Sequence, residues 1–567
     1  MKEIFKKNLL IFFMILFVNL WVFGKLSSTF FQQDEWHALG HIKTKGLSYL
    51  FTGASFFENL ALDSRPLARI LNLIFFGGFS LNIFPLFIFT VTVHTLNTFL
   101  IYLISRHLTK NNFWSFIASL FFTFNSTAKQ AVLWFGTVTG TLPIGTMILL
   151  SILFYLKYLD KKQQKHLRIA IISLFVSLGF KENGLFLFVF FPLLYLIYNY
   201  GSLKRSKKIR FPHHIFLLAG IGLIFFLAKF LSIIFNPVAS ESRYITGASS
   251  TSIFKIIWVA VTYPFEGLAQ ISLSGEILFP FSKYIARTIF PRLEETDFFG
   301  YISEVVMTEF VSSLMAGLII IFLTITLIFI YQKKHKKAYL FTASFYLLSF
   351  IPYFLSLKPN GYLESRCYYV SVIPIAILLG LLFNNFSIFL SRVFKQKVSI
   401  FIIKTALVLL FSTYLKVNIN FIQENLDFLI ERAGVQKYIL SEILKSHPNF
   451  SQNQIFYIES DHSFIVPNNP LPFQNGIGYT LLVLYAYEKD VQNLEPFLED
   501  RFFWMLGNQG YLKSDKTGFG FITTMEELKR VLKEEKLNPE DVTAFYYRSE
   551  VNKLNNTTEE IRAKLRQ

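Results

Sequence analysis

Apolar runs long enough to cross a hydrocarbon layer recur along most of the chain, separated by short polar or basic stretches. A helix rises 1.5 Å per residue, so about 20 apolar residues cover the roughly 30 Å core of a bilayer. On that measure the pattern predicts membrane-crossing helices near residues 9–24, 82–105, 113–125, 138–158, 168–180, 184–199, 214–235, 309–331, 338–357, 367–386 and 398–416. The segment Pro66 to Gly78 is also apolar, but counting it as a crossing would reverse the side of every later loop. It is read instead as a helix lying in the outer interface, with Pro66 in its first turn and Gly77-Gly78 at its end. After residue 416 the pattern changes. Asn418 to Lys445 reads as a helix and Gln454 to Glu459 as a strand, while Gly518 to Thr523, Met525 to Glu535 and Val542 to Tyr547 read as strand, helix and strand. The expected fold class is an all-α polytopic membrane module of about eleven transmembrane helices over residues 1–416, followed by a small soluble α/β domain over residues 417–567.

Composition agrees with that class. Hydrophobic residues make up 53% of the 567 positions, Phe alone occurs 68 times, mean hydropathy is +0.44, and only 16% of residues are charged. A soluble chain would be about a quarter charged. The net charge of +18 would suggest a nucleic-acid partner in a soluble protein, but here topology accounts for it and no nucleic acid is expected. With the N-terminus inside, the cytoplasmic loops hold Lys2, Lys6 and Lys7; Arg106 and Lys110; Lys161, Lys162, Lys165 and Arg168; Lys204 to Arg210; Lys333 to Lys337; and Arg392, Lys395 and Lys397. The short outer connections hold only Lys129, Lys181, Lys358 and Arg366. The chain is thus expected to be a multi-pass plasma-membrane protein with a cytoplasmic N-terminus and an extracytoplasmic C-terminal domain. Met1 to Gly24 is read as a retained first helix, because no small-x-small cleavage site follows it. A single cysteine, Cys367, excludes an intramolecular disulfide.

Candidate chemistry gathers on the outer side. Asp34 and Glu35 stand together in the first outer loop, residues 25–80, and carboxylates at a membrane surface are kept mainly where they meet something specific. Lys181-Glu182-Asn183-Gly184 interrupts an apolar run, leaving flanking helices of about 14 to 16 residues, each covering roughly 21 to 24 Å. Such a break is tolerated only where protein or water surrounds it, which implies a cavity open to the outside. Arg65 and Glu364-Ser365-Arg366 fall on the same side, as does a second outer loop, 236–308, that contains Arg243. His37 and His41, four residues apart beside the acids, could join Asp34 at a metal on a helix, but the pair alone is an incomplete ligand set and no metal is expected. His94 and Asn97 are expected to make interhelical hydrogen bonds.

These blocks carry a family resemblance. The acidic pair after the first helix, Ser64-Arg65-Pro66-Leu67, Phe76-Gly77-Gly78-Phe79-Ser80-Leu81-Asn82 and Val93-His94-Thr95-Leu96-Asn97 together resemble membrane-embedded glycosyltransferases of the GT-C superfamily. Leu133-Trp134-Phe135-Gly136-Thr137-Val138-Thr139-Gly140, Lys181-Glu182-Asn183-Gly184 and Glu364-Ser365-Arg366-Cys367-Tyr368-Tyr369 are similar to blocks of many-span protein O-mannosyltransferases, and bacterial aminoarabinose transferases share the layout. The resemblance covers residues 9–416 and stops before the C-terminal domain, which lacks the helical repeats of the O-mannosyltransferases. It implies a catalytic base at the first acid of the pair, Asp34, and basic residues on the phosphate of a lipid-linked sugar donor.

Elementary chemistry leads to the same reaction. Nucleotide sugars are unavailable at an outer face, and the chain has no phosphate-binding glycine loop of the usual spacing, which leaves a polyprenyl-phosphate sugar as donor. Its leaving group departs as an anion without a general acid, so one base for the acceptor hydroxyl and cations for the phosphate suffice. The expected assignments are Asp34 as base, Glu35 as its helper, Lys181 and Arg366 as phosphate ligands with Arg65 and Arg243 in support, and Glu182 and Glu364 supporting the cavity. Direct displacement would invert the anomeric centre. The expected partners are membrane lipid, the polyprenyl-phosphate sugar, and a glycan, lipid or protein acceptor. Two alternatives share the polytopic layout: a lipid-linked oligosaccharide polymerase or ligase, and a transporter or flippase of lipid-linked saccharides, which inverted repeats would favour.

Overall fold

The computed structural model of the chain describes residues 2–32, 34–51, 65–206, 212–235, 253–273, 336–354, 365–393, 397–461, 477–489, 509–514 and 517–567, with isolated positions between 284 and 325 and Phe497. The chain forms two compact units. The first comprises Met1–Gly24, Phe51–Arg69 and Ile88–Glu424, and the second Lys25–Leu50, Ile70–Phe87 and Asn425–Gln567.

Among its described residues the first unit consists of helices and their short connections, with no strand. Helices Lys2–Phe23, Phe84–Thr109, Asn112–Thr123, Phe135–Lys161, Gln164–Phe180, Leu187–Ser206, His213–Phe235, Lys336–Leu348 and Tyr369–Val393 fall where apolar runs predict them. The expected helix 309–331 lies mostly outside the described residues, as does most of loop 236–308, within which a 21-residue helix, Ile253–Leu273, forms around Pro264. Among the described residues six helices are long and apolar enough to cross a membrane: Lys6–Ser28, Phe84–Thr109, Phe135–Lys161, Glu182–Asn199, Ser365–Ser391 and Lys404–Ser446. The segment expected to lie in the interface forms a short helix, Pro66–Asn72, that widens into a π-helical turn, Leu73–Gly77.

Polar residues inside these helices bond to one another, as an apolar surrounding demands. Asn97 donates to the Leu142 carbonyl and to the Tyr369 hydroxyl, both at 2.9 Å, and accepts from Thr146 Oγ1 at 2.6 Å. His94 Nδ1 shares a 2.9 Å hydrogen bond with the same Tyr369 hydroxyl. Three helices are thereby tied through one buried amide, which confirms the interhelical role expected of His94 and Asn97.

The break around Lys181 is present. Helix Gln164–Phe180 ends at an extended Lys181 (φ −167°, ψ 154°), a 3₁₀ turn runs from Glu182 to Phe186, and helix Leu187–Ser206 follows. The flanking helices are 17 and 20 residues long, longer than the sequence implied. Each continues into the polar and basic residues that bound its apolar stretch, because charge at a helix end does not stop the helix. Gly184 is required at the break, since a Cβ there would run into the Ser177 hydroxyl.

The second unit is built on a five-stranded sheet. Strands β1 (Asn453–Ser460), β2 (Gly510–Ser514), β3 (Thr517–Ile522), β4 (Val542–Arg548) and β5 (Lys553–Asn556) lie in the order β2-β3-β1-β4-β5. The central β1 pairs in parallel with β3 and β4, and the two edge strands are antiparallel. Ile455, Tyr457, Ile522, Val542 and Ala544 pack one face of the sheet against Leu528, Val531 and Leu532 of helix Met525–Glu535 and Ile561 of helix Thr558–Arg566. Helix Ile477–Glu488 is buried at every position from Ile477 to Ala486, as a helix apolar on all sides must be. The sequence reading lacks this helix, and it lacks the two short edge strands. The 50-residue helix Lys397–Ser446 runs without interruption through position 416.

Candidate active site

Asp34 and Glu35 open helix Asp34–Lys45 in the second unit, where the unpaired N–H groups of the first turn favour carboxylates. Their environments differ. Asp34 is half-buried, whereas Glu35 is fully buried and its Oε2 accepts the Gln32 backbone N–H at 3.1 Å. Glu35 therefore fixes the approach of the chain into the helix. The loop before it is held further. With its amide oriented to satisfy both contacts, Gln436 donates to the Phe31 carbonyl at 2.9 Å and accepts from Trp36 Nε1 at 3.2 Å. Lys437 donates to the Thr29 carbonyl at 3.1 Å and lies 5.0 Å from the Phe30 ring centroid.

The same helix rests on Ile477–Glu488. Gly40 faces the Tyr479 hydroxyl so closely that any Cβ would collide, and Tyr487 donates to the Leu39 carbonyl at 3.1 Å. His37 and His41 point their Nε2 atoms at each other, 2.7 Å apart, with one donating to the other. Among the described residues no group of three or more His, Cys, Asp or Glu is placed to hold a metal ion.

In the first unit, Arg65, Lys181, Glu182 and Arg366, scattered in sequence, converge at helix ends. Arg65 Nη2 lies 3.2 Å from Glu182 Oε1 and 3.3 Å from Oε2. Lys181 stands among them: burial lowers its pKa, and the positive charges of Arg65 and Arg366 lower it further, against partial relief from Cys367 and Glu182. Arg366 lies in the 3₁₀ turn Ser365–Tyr368 before helix Tyr369–Val393, and its guanidinium carbon sits 4.6 Å from the Trp134 ring centroid. Gln130 holds this segment, its Oε1 accepting from the Ser365 hydroxyl and the Arg366 N–H at 3.3 Å each. Asn183 donates to the Tyr353 hydroxyl, which donates to the Cys367 carbonyl at 2.9 Å. Among the described residues, three cations thus stand with one carboxylate in a half-buried setting, an arrangement suited to an anion with more than one charge.

Arg243 and Glu364 lie outside the described residues. Gln130 and Trp134 are absent from the sequence reading as site residues. Their spacing of four places both on one side of the short helix Gln130–Leu133 and its cap, but only the long-range contact to Arg366 reveals their use.

No protein-family model and no curated protein matches the sequence. Among solved structures, the chain is similar to ArnT from Cupriavidus metallidurans bound to undecaprenyl phosphate, at 9% identity and a TM-score of 0.40, over 95% of this chain and 93% of that one.

Proposed function

We propose that the chain is a membrane glycosyltransferase that moves a sugar from a polyprenyl-phosphate donor to an acceptor hydroxyl at the outer face, with inversion. The observation that carries this reading is the grouping of Arg65, Lys181 and Arg366 with Glu182, the one carboxylate seen with them among the described residues, at helix ends in a largely helical, apolar unit. Cations grouped in such surroundings favour an anionic ligand, and the phosphate of a lipid-linked sugar brings one from within the membrane.

In the proposed reaction the acceptor O–H gives its proton to the Asp34 carboxylate as its oxygen attacks the anomeric carbon. The bond from that carbon to the phosphate oxygen breaks, and polyprenyl phosphate leaves as an anion held by Lys181 and Arg366 with support from Arg65. Attack opposite the leaving group inverts the anomeric centre. Glu35, anchored to the Gln32 N–H, keeps Asp34 in place. Glu182 moderates the cluster's charge. Arg243 and Glu364 keep their proposed supporting parts. The N-terminus is placed in the cytoplasm and the sheet-bearing C-terminal domain outside, on the distribution of loop charges.

The test is donor consumption by the purified protein in lipid nanodiscs, supplied with polyprenyl-phosphate hexoses and pentoses and an envelope-glycan extract. Release of free polyprenyl phosphate with at least one sugar, dependent on the extract, is expected. No release with any donor, alongside unaltered cell-surface glycans in a strain lacking the protein, would overturn the reading.

A further inference from the structure

Trp134 is 8% exposed, and its indole Nε1 is a buried donor with no hydrogen-bond partner among the described residues. An indole N–H taken out of water and left unbonded is unfavourable, and buried donors of this kind ordinarily have a partner. The ring of the same residue lies 4.6 Å from the Arg366 guanidinium carbon, close enough for a cation–π contact that limits where the guanidinium can go. Gln130, four residues earlier, fixes the backbone of Arg366 and the hydroxyl of Ser365. The hydroxyl of Thr137 donates to the Trp134 carbonyl at 3.0 Å, so the backbone on which the indole is mounted is itself held.

On this footing we infer that Trp134 is a ligand-binding residue of the cation cluster: its indole N–H donates to an oxygen of the bound phosphate group while its ring positions Arg366 on the same group. The inference rests on the phosphate-binding reading above and adds to it a neutral donor. An arginine held on an aromatic face keeps its planar N–H edge available for a phosphate oxygen, and the indole supplies a donor whose strength does not depend on pH.

The experiment compares binding of farnesyl phosphate with that of farnesol to the full-length protein in nanodiscs, for wild type, W134F and R366A, with thermal unfolding of each. Phenylalanine keeps the ring and removes only the N–H. W134F should bind farnesyl phosphate about tenfold more weakly at an unchanged unfolding temperature, the size of one hydrogen bond to a charged group, and R366A should lose at least as much. Wild-type affinity in W134F together with a loss in R366A would overturn the role of Trp134 and leave the phosphate reading standing. Equal binding of farnesol and farnesyl phosphate by the wild type would overturn both. Should W134F fail to fold, the wild type carries the test alone. Among the six indole N–H resonances of the ¹⁵N-labelled protein, one should shift downfield with farnesyl phosphate but not with farnesol, and no such shift would overturn the inference.

Discussion

Arg65 Nη2 sits 3.2 Å from Glu182 Oε1, across 117 positions of sequence. The two side chains are 32% and 31% exposed, so the pair adds at most about 1 kcal/mol to stability. Its larger effect is on charge, because Glu182 offsets Arg65 and raises the pKa of the neighbouring Lys181. Glu182→Gln should therefore change the unfolding free energy by less than about 1 kcal/mol. It should also strengthen farnesyl phosphate binding severalfold, by removing the only carboxylate seen against Arg65 among the described residues. Titration of both proteins at neutral pH is the check. Weaker binding by the variant would mean that Glu182 touches the ligand rather than tuning the cations.

Phosphate binding should depend on pH through Lys181. Burial, then Arg65, hold its pKa below the ordinary lysine value, and a bound phosphate would restore it upward. Affinity should accordingly be greatest below that lowered pKa and fall as pH rises through it, with proton uptake on binding. For folding the sign is opposite. Between the lowered folded pKa and the ordinary unfolded one the unfolded chain binds more protons, so this lysine makes the protein more stable as pH rises. Calorimetric titration in buffers of different ionisation enthalpy measures the uptake, and Lys181→Met should abolish it.

The two adjacent acids should separate by readout. Glu35 is fully buried and holds the Gln32 N–H, so Glu35→Ala should cost about 1–3 kcal/mol and lower the unfolding temperature. Asp34→Asn, at a half-buried first-turn position, should leave that temperature nearly unchanged. Transfer activity should fall in both, sharply in Asp34→Asn. Equal unfolding losses in the two variants would remove the distinction between base and support.

In the second unit, His447 joins the end of the long helix to the sheet. Its Nε2 bonds Gln454 Oε1 at 2.6 Å and its carbonyl accepts the Tyr485 hydroxyl at 2.6 Å. Burial lowers its pKa despite the bond to Gln454. The folded state thus takes up its proton later than the unfolded chain as pH falls, and stability is lost from the unfolded histidine pKa downward to the lowered folded one. Unfolding temperatures followed from neutral to acidic pH should drop over that interval, and His447→Gln should flatten the drop.

The sequence was most legible where one physical requirement dominated. Bilayer thickness fixes the length of an apolar run, and helices Phe84–Thr109, Phe135–Lys161 and Tyr369–Val393 lie where those runs are. The break at Lys181 was legible because a lysine and a glutamate beside Gly184 cannot continue an apolar helix without cause. Helix Ile477–Glu488 was not, since a short segment apolar on every side has neither a helical nor a strand period. The edge strands Gly510–Ser514 and Lys553–Asn556 are too short to show an alternation. Within the candidate site, the convergence of Arg65, Lys181, Glu182 and Arg366 could be expected from the distribution of loop charges, which assigns all four to one side. The Gln130 and Trp134 platform could not, because it is made by contacts across more than two hundred positions whose partners carry no local signature.

In the proposed reaction Asp34 acts as the base of a sugar transfer from a lipid phosphate. The most direct measurement is the rate of sugar transfer from a polyprenyl-phosphate donor in nanodiscs by wild type and Asp34→Asn, paired with the farnesyl phosphate affinity of each. The account predicts a loss of about 10²–10⁴-fold in rate for the variant, the usual contribution of a general base, with affinity and unfolding temperature unchanged. Wild-type turnover by Asp34→Asn would contradict it.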